Sequence, residues 1–223
     1  MDIPILYEDN HLLIVTKPVN MPVQQDQSKD PDLLTLLKKD LKIRYQKPGN
    51  VYLGLVHRLD RPVGGAMVFA KTSKAASRLA RFMQTNKFER EYCAVVHGYL
   101  PKKSGQLEHY LWKDRRKNIV HAVTKEMKHA KKAQLSYKVT SQKEGFSLLS
   151  IRLHTGRSHQ IRVQFATEGH PLYGDQKYGS HRNKKGQQLA LWSTRISLPH
   201  PTKEEVIEVQ DSLPSTYPWN LFI

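Results

Sequence analysis

The chain has 223 residues and a mass of 25.8 kDa, room for one large domain or two small ones. Its single cysteine, Cys93, excludes an intramolecular disulfide framework and every multi-cysteine zinc or iron–sulfur site, and no run of about 18 apolar residues is long enough to cross a membrane. Thirty-six Lys+Arg against twenty Asp+Glu leave a net charge of +16, an excess that attracts polyanions through counterion release. Nucleic acid is favoured over a membrane surface, because the basic residues do not gather on one amphipathic helix. Met1-Asp2-Ile3-Pro4 carries no basic region followed by an apolar stretch, so no signal peptide is expected and the expected home is cytoplasmic.

Residues 3–7 and 12–15 read as two short strands joined by a Glu8-Asp9-Asn10 turn. Lys17-Pro18 opens an irregular loop. A helix is expected from Asp30 as cap, with Pro31 first and Leu33, Leu34, Leu37 and Leu41 on one face. Ala66–Ala70 is an apolar strand behind Gly64-Gly65. Ser73 to about Asn86 reads as a helix with Ala76, Leu79, Ala80 and Met83 inward, and Phe88–Tyr99 alternates like a strand that holds Cys93 as a small hydrophobe. Further strands are expected near 105–111, 119–124, 133–140, 146–154, 188–198 and 205–209. A last helix is expected from about Ser158 to Glu168, with Ile161, Phe165 and Ala166 inward and Gly169 as its left-handed stop. Many strands, few helices and no strict βαβ alternation predict an α+β fold with a mostly antiparallel sheet. The expectation is a single catalytic domain over 1–223, with a basic insertion around 101–132.

That insertion holds ten basic and three acidic residues between 102 and 132, a net +7. Tyr110 and Trp112 stand beside Lys113-Asp114-Arg115-Arg116-Lys117, and cations interleaved with aromatics suit phosphate contacts and base stacking. A solvated lysine-rich hairpin is the plainer alternative. Phosphate-binding glycine loops, the dinucleotide fingerprint and the serine nucleophile elbow are all missing, and His154 and His159 are five apart, off one helical face. Neither a metal site nor a cofactor is expected.

Two segments concentrate chemistry. In His57-Arg58-Leu59-Asp60-Arg61-Pro62 an acid stands between two arginines, whose charge favours the ionised carboxylate. Asp60 could act as nucleophile or electrostatic base, or form an ion pair at a turn. In Leu153–Arg162 a strand passes through Thr155-Gly156-Arg157 into a helix start, a layout that suits anion binding or orienting a carboxylate. Capping and packing account for Thr155, Ser158 and Gln160 equally well.

Together the two segments carry a resemblance. The chain resembles the RluA-type family of RNA pseudouridine synthases, whose His-Arg-Leu-Asp segment, glycine turn and Ala-Lys-Thr strand end appear at His57–Asp60, Gly65 and Ala70-Lys71-Thr72. The Arg-Glu-Tyr motif appears at Arg90–Gly98, the Thr-Gly-Arg…Arg motif at Thr155–Arg162, then Gly169-His170-Pro171 and Gly174–Gly179, with Ile5–Asp9 and Lys17-Pro18 at the start. The resemblance implies a mixed α+β domain with flanking helices around a bent, mostly antiparallel sheet and a central catalytic cleft. It implies that Asp60 is the essential aspartate, that Tyr92 lies against the target base, that Arg162 pairs with the aspartate, and that Arg58 helps flip the target. Tyr92 as core residue and Arg58 as backbone binder are the rival roles. Departures from the family pattern fall at Asn20, Gln24, Leu135, Gln164 and Trp192. Many relatives carry an N-terminal S4 domain; here the catalytic part begins almost at Met1, so the chain's own surface is expected to hold RNA.

The expected activity is isomerisation of specific uridines in rRNA or tRNA by a monomer that needs no protein partner and no membrane. The alternative is a catalytically inactive RNA-binding protein on the same fold.

Overall fold

A computed structural model describes residues 3–222, so Met1 and Asp2, used above for the signal-peptide reading, lie outside the described residues. Eleven strands and three α-helices appear among the described residues, and the strand pairs whose register is resolved are all antiparallel, as an α+β reading expects. The chain divides into two compact units. One takes the chain through Arg90 and returns for Ser193–Ser212; the other takes Glu91–Trp192 and the C-terminal end from Leu213.

In the first unit the strand order is β1 (Ile5–Glu8), β2 (Leu12–Lys17), β4 (Gly64–Ala70), β10 (Leu191–Pro199, from Ser193 onward) and β11 (Val206–Gln210), with β3 (Gly54–Leu55) also on β4. β4 is buried at every position and β2 at all but Thr16, so both read as unbroken apolar runs rather than alternating ones. Gly65 has φ +108°, and a Cβ there would stand 2.3 Å from the Ser193 carbonyl oxygen on β10; only glycine lets the strands approach. The core joins Leu12, Ile14, Val68, Leu79, Ile196 and Leu198.

Helix α1 (Leu33–Arg44) starts later than expected. Asp32, not Asp30, caps it by accepting from the Thr35 amide at 3.0 Å, because the Asp30 carboxylate is taken by Arg61. Helix α2 (Ser73–Gln84) is capped by Thr72 and buries Ala75 and Leu79. Of the expected inner face, Leu79 is in the core and Ala76 and Met83 pack against it half-buried, whereas Ala80 is exposed.

The second unit orders β5 (Glu89–His97), β9 (Phe146–Leu153), β8 (Lys131–Lys143), β6 (Ser104–Asp114) and β7 (Ile119–Val123) as an antiparallel meander. Cys93 lies half-buried in β5. Helix α3 (Gln160–Thr167) is shorter than expected and buried all round from Gln160 to Phe165, while Ala166 is half-buried. Gln164 Nε2 reaches the Leu107 carbonyl of β6 at 3.2 Å, while its Oε1 is buried with no hydrogen-bond partner among the described residues.

Candidate active site

Asp60 belongs to the first unit, at the end of an irregular stretch between β3 and β4. Burial alternates along it. His57 and Leu59 are each 7 % exposed, Arg58 is exposed, and Asp60 is half-buried. His57 Nε2 accepts the Val68 amide of β4 at 3.1 Å, and the ring meets Phe88 edge-on at 5.4 Å between centroids. Accepting an N–H leaves the neutral ring's proton on Nδ1. Burial, and then the nearby Arg90 charge, push His57 down to about 3. At neutral pH it is an uncharged anchor for the loop.

The second anchor is Lys17, wholly buried at the end of β2. Its Nζ donates to the carbonyls of Pro18 at 2.8 Å, Arg61 at 3.0 Å and Val63 at 2.7 Å, so all three ammonium protons are used. Burial pushes Lys17 down to about 7, the Asp60 charge pulls it up, and the Arg61 charge adds to the fall. The Val63 amide closes the turn by donating to the Asp60 carbonyl at 2.9 Å. Backbone on both sides of Asp60 is thereby fixed.

The cation expected on the C-terminal side of Asp60 is elsewhere. Arg61 turns its guanidinium to Asp30, to Ser28 at 3.1 Å and to the Asn20 carbonyl at 3.1 Å. Within this unit Lys17 is an electrostatic neighbour of Asp60. Sequence reasoning saw Lys17 as the opening of an irregular loop and as part of a family pattern, whereas it ends β2. Its signal was there: a lysine at the end of the apolar run Leu12–Val15 on a doubly buried strand must have its charge met.

Tyr92 and Arg162 belong to the second unit. Tyr92 is 5 % exposed on β5, opposite Ile151 of β9. Arg162, on α3 and 6 % exposed, makes a two-pronged bond to Asp175: Nε to Oδ2 at 2.8 Å and Nη2 to Oδ1 at 2.9 Å. Burial would raise the Asp175 carboxyl, but Arg162 and the Tyr178 and Lys177 amides outweigh it and hold it below the usual range. The Tyr178 ring lies 5.2 Å from the Arg162 guanidinium, and its hydroxyl accepts the Val120 amide at 2.9 Å and meets His159 Nδ1 at 2.5 Å. Arg162 is thus held from two sides by groups that the sequence offered only as the pattern Gly-Asp-x-x-Tyr.

In the Thr-Gly-Arg segment the structural alternative accounts for Thr155 and Gln160. Gln160 Oε1 accepts from the Thr155 hydroxyl at 2.8 Å and the Arg157 amide at 3.0 Å, and its Nε2 donates to the Gln134 carbonyl at 3.0 Å.

The basic hairpin is β6–β7. Asp114 Oδ1 accepts the amides of Arg116 and Lys117 and shapes the turn, leaving Lys113, Arg115, Arg116 and Lys117 exposed. Lys113, Arg115 and Arg116 line an open groove of about 1090 Å³ with Trp112, Lys131 and Arg157. Trp112 stacks on His121, centroids 6.0 Å apart and planes at 29°. Lys117 is not part of that lining. Among the described residues no group of three or more His, Cys, Asp or Glu is placed to hold a metal ion, and no helix is long and apolar enough to cross a membrane.

Comparison with known proteins identifies the family. The family model described as RNA pseudouridylate synthase matches residues 11–167. An RNA pseudouridine synthase of Bacillus subtilis is 33 % identical over 217 residues, covering 96 % of this chain and 70 % of the relative. Ribosomal large subunit pseudouridine synthase C of Buchnera aphidicola is 32 % identical over 94 % of this chain and 67 % of its own length. Ribosomal large subunit pseudouridine synthase D of Haemophilus influenzae is 33 % identical over 96 % and 68 %. The solved structure of human RNA pseudouridylate synthase domain containing 1 shares the fold, with a TM-score of 0.78 at 22 % identity over 96 % of this chain and 85 % of that one. This chain therefore belongs to the RluA-type family of RNA pseudouridine synthases, isomerases that act on RNA.

Proposed function

We propose that this enzyme isomerises specific uridines of rRNA or tRNA, with Asp60 as its essential carboxylate. The observation that carries this reading is the setting of Asp60. It is the only acidic residue between 41 and 88, and it sits on a loop that Lys17 and His57 hold rigid from the protein interior. The names of the Buchnera and Haemophilus relatives point to ribosomal RNA as the first substrate to test.

The target base must leave its stack before C1′ can be reached. The N1–C1′ bond breaks, the base turns, C5 bonds to C1′, and C5 loses a proton while N1 gains one. Atoms and electrons balance within the nucleotide, so no external oxidant, reductant or energy source enters. Asp60 promotes the N1–C1′ cleavage. Tyr92 meets the base, Arg162 serves the carboxylate's step, and Arg58 takes part in flipping. Lys113, Arg115, Arg116 and Lys117 hold phosphates. The enzyme acts as a monomer in the cytoplasm without a cofactor.

The test maps pseudouridines in cellular rRNA and tRNA with and without the gene, and then with Asp60→Asn restored in its place. Sites that vanish without the gene should stay absent with Asp60→Asn, and the purified variant should lose about a thousandfold or more in rate while still binding RNA. Turnover of Asp60→Asn at the native rate would refute the role of Asp60.

A further inference from the structure

Residues 61–88 contain six basic side chains and no Asp or Glu. Two of the six are neutralised: Arg61 by Asp30, and Lys71 by Glu8 at 2.7 Å. The remaining four, Lys74, Arg78, Arg81 and Lys87, lie on α2 or just beyond its end. Lys74, Arg78 and Arg81 follow an i, i+4, i+7 spacing and so share one stripe, beside the buried Ala75 and Leu79. None of the four has an acidic oxygen within 4.0 Å among the described residues. Arg44, Arg61, Lys71 and Arg195 of the same unit each have one.

Arg78, Arg81 and Lys87 surround a hollow of about 300 Å³ whose remaining lining is Phe82, Thr85 and Pro201. Arg78 Nη1 donates to the Pro201 carbonyl, which fixes that guanidinium at the rim. The Thr85 hydroxyl is engaged by the Arg81 carbonyl at 3.0 Å. Helix stability explains part of this pattern, since cations at a C-terminus complement the macrodipole. It does not explain Lys74, which stands in the first turn where a cation is unfavourable. Nor does it explain why four clustered cations lack counter-charges that their unit supplies elsewhere.

We propose that this face of α2 binds backbone phosphates of the substrate RNA, as a contact of the first unit additional to the basic hairpin of the second. The proposal rests on the reading of RNA as substrate. The hollow admits a phosphate group, and two guanidiniums and an ammonium around it match a phosphate's acceptor oxygens. Contacts of this kind carry register rather than base identity.

The experiment measures affinity for the target RNA at several salt concentrations, with native protein, with Arg78→Gln/Arg81→Gln/Lys87→Gln, and with Arg81→Gln/Lys87→Gln. The double variant keeps the Arg78–Pro201 bond, so it separates lost binding from lost folding. At about 0.7 per contact to single-stranded RNA, the slope of log affinity against log salt should flatten by about 2 in the triple and about 1.4 in the double variant. An unchanged slope in the folded double variant, with native protein that makes pseudouridine, would overturn the α2 contact alone. A flattened slope with native protein that makes none would uphold the contact and overturn the catalytic reading.

Discussion

Acidification should destabilise this protein through His57, the first residue of the segment that carries Asp60. The unfolded histidine titrates near 6.5, whereas in the fold burial and Arg90 hold it at about 3. Between those values only the unfolded chain takes up the proton. The stability is complete above pH 6.5 and is lost as pH falls, by about 1.4 kcal/mol per pH unit until the folded value is reached. By pH 4.5 the loss totals about 2.7 kcal/mol, a large part of a usual total of about 5–15. His57→Gln removes the titration while its side-chain oxygen can still accept the Val68 amide. Losing the ring contact with Phe88 adds an offset that does not depend on pH. The assay is urea unfolding followed by tryptophan fluorescence at four pH values from 7.5 to 4.5 for both proteins. Between pH 6.5 and 4.5 the native curve should fall more steeply than the variant's by about 1.4 kcal/mol per pH unit. Parallel curves would show that His57 gains a proton in the fold as readily as in the unfolded chain, and the neutral-anchor argument would fail.

Three further outcomes are expected. Lys17→Met leaves the carbonyls of Pro18, Arg61 and Val63 without their donor and should cost about 2–4 kcal/mol in thermal unfolding; a melting point equal to the native one would contradict the anchoring role. Asp175→Asn removes the two-pronged carboxylate partner of the buried Arg162 and should cost about 1.5–3 kcal/mol, read by denaturant midpoint; an unchanged midpoint would contradict that role. Replacing Lys113, Arg115, Arg116 and Lys117 together with Gln should keep the fold and flatten the salt dependence of RNA affinity by about 2–3; an unchanged slope would make the hairpin a solvated surface.

The parts of the fold that the sequence displayed were those where one physical effect dominates. β2 and β4 are buried on both faces, so their apolar runs need no alternation to be recognised. Helix α1 was visible, but its start was misplaced because two aspartates stood near it. Only tertiary structure shows that Arg61 takes Asp30 and leaves Asp32 to cap. On α2 Ala76, Leu79 and Met83 meet the core as expected, but buried Ala75 was missed and exposed Ala80 was placed inward, because a small apolar residue marks neither face. Two-residue β3 carries too short a pattern to show at all. α3 is buried from Gln160 to Phe165, yet Arg162 and Gln164 make it look amphipathic; the nitrogens of both bond inside the protein rather than to solvent.

The same distinction separates what could be read of the site from what could not. The identity of the Asp60 segment was legible because its residues occur in order with the other motifs of the family. Its mechanics were not, since they depend on which cation comes to rest where. Composition places Arg58 and Arg61 beside Asp60; the fold sends Arg61 to Asp30 and brings Lys17 up from β2. Asn20, a departure from the family's glycine, sits at φ +62°, and asparagine tolerates that left-handed conformation better than most side chains. The substitution therefore preserves the backbone that presents its carbonyl to Arg61. Gln164, another departure, is wholly buried and bonded to the Leu107 carbonyl, so it serves packing of α3 on the strands of the basic hairpin. Charge followed a different rule. The hairpin announced itself because its cations are contiguous, whereas those of α2 are spaced by the helical repeat and become a patch only once the helix forms. An acid-free stretch as long as residues 61–88 is the sequence signal that would have exposed them, because no acid within the stretch is available to neutralise those cations.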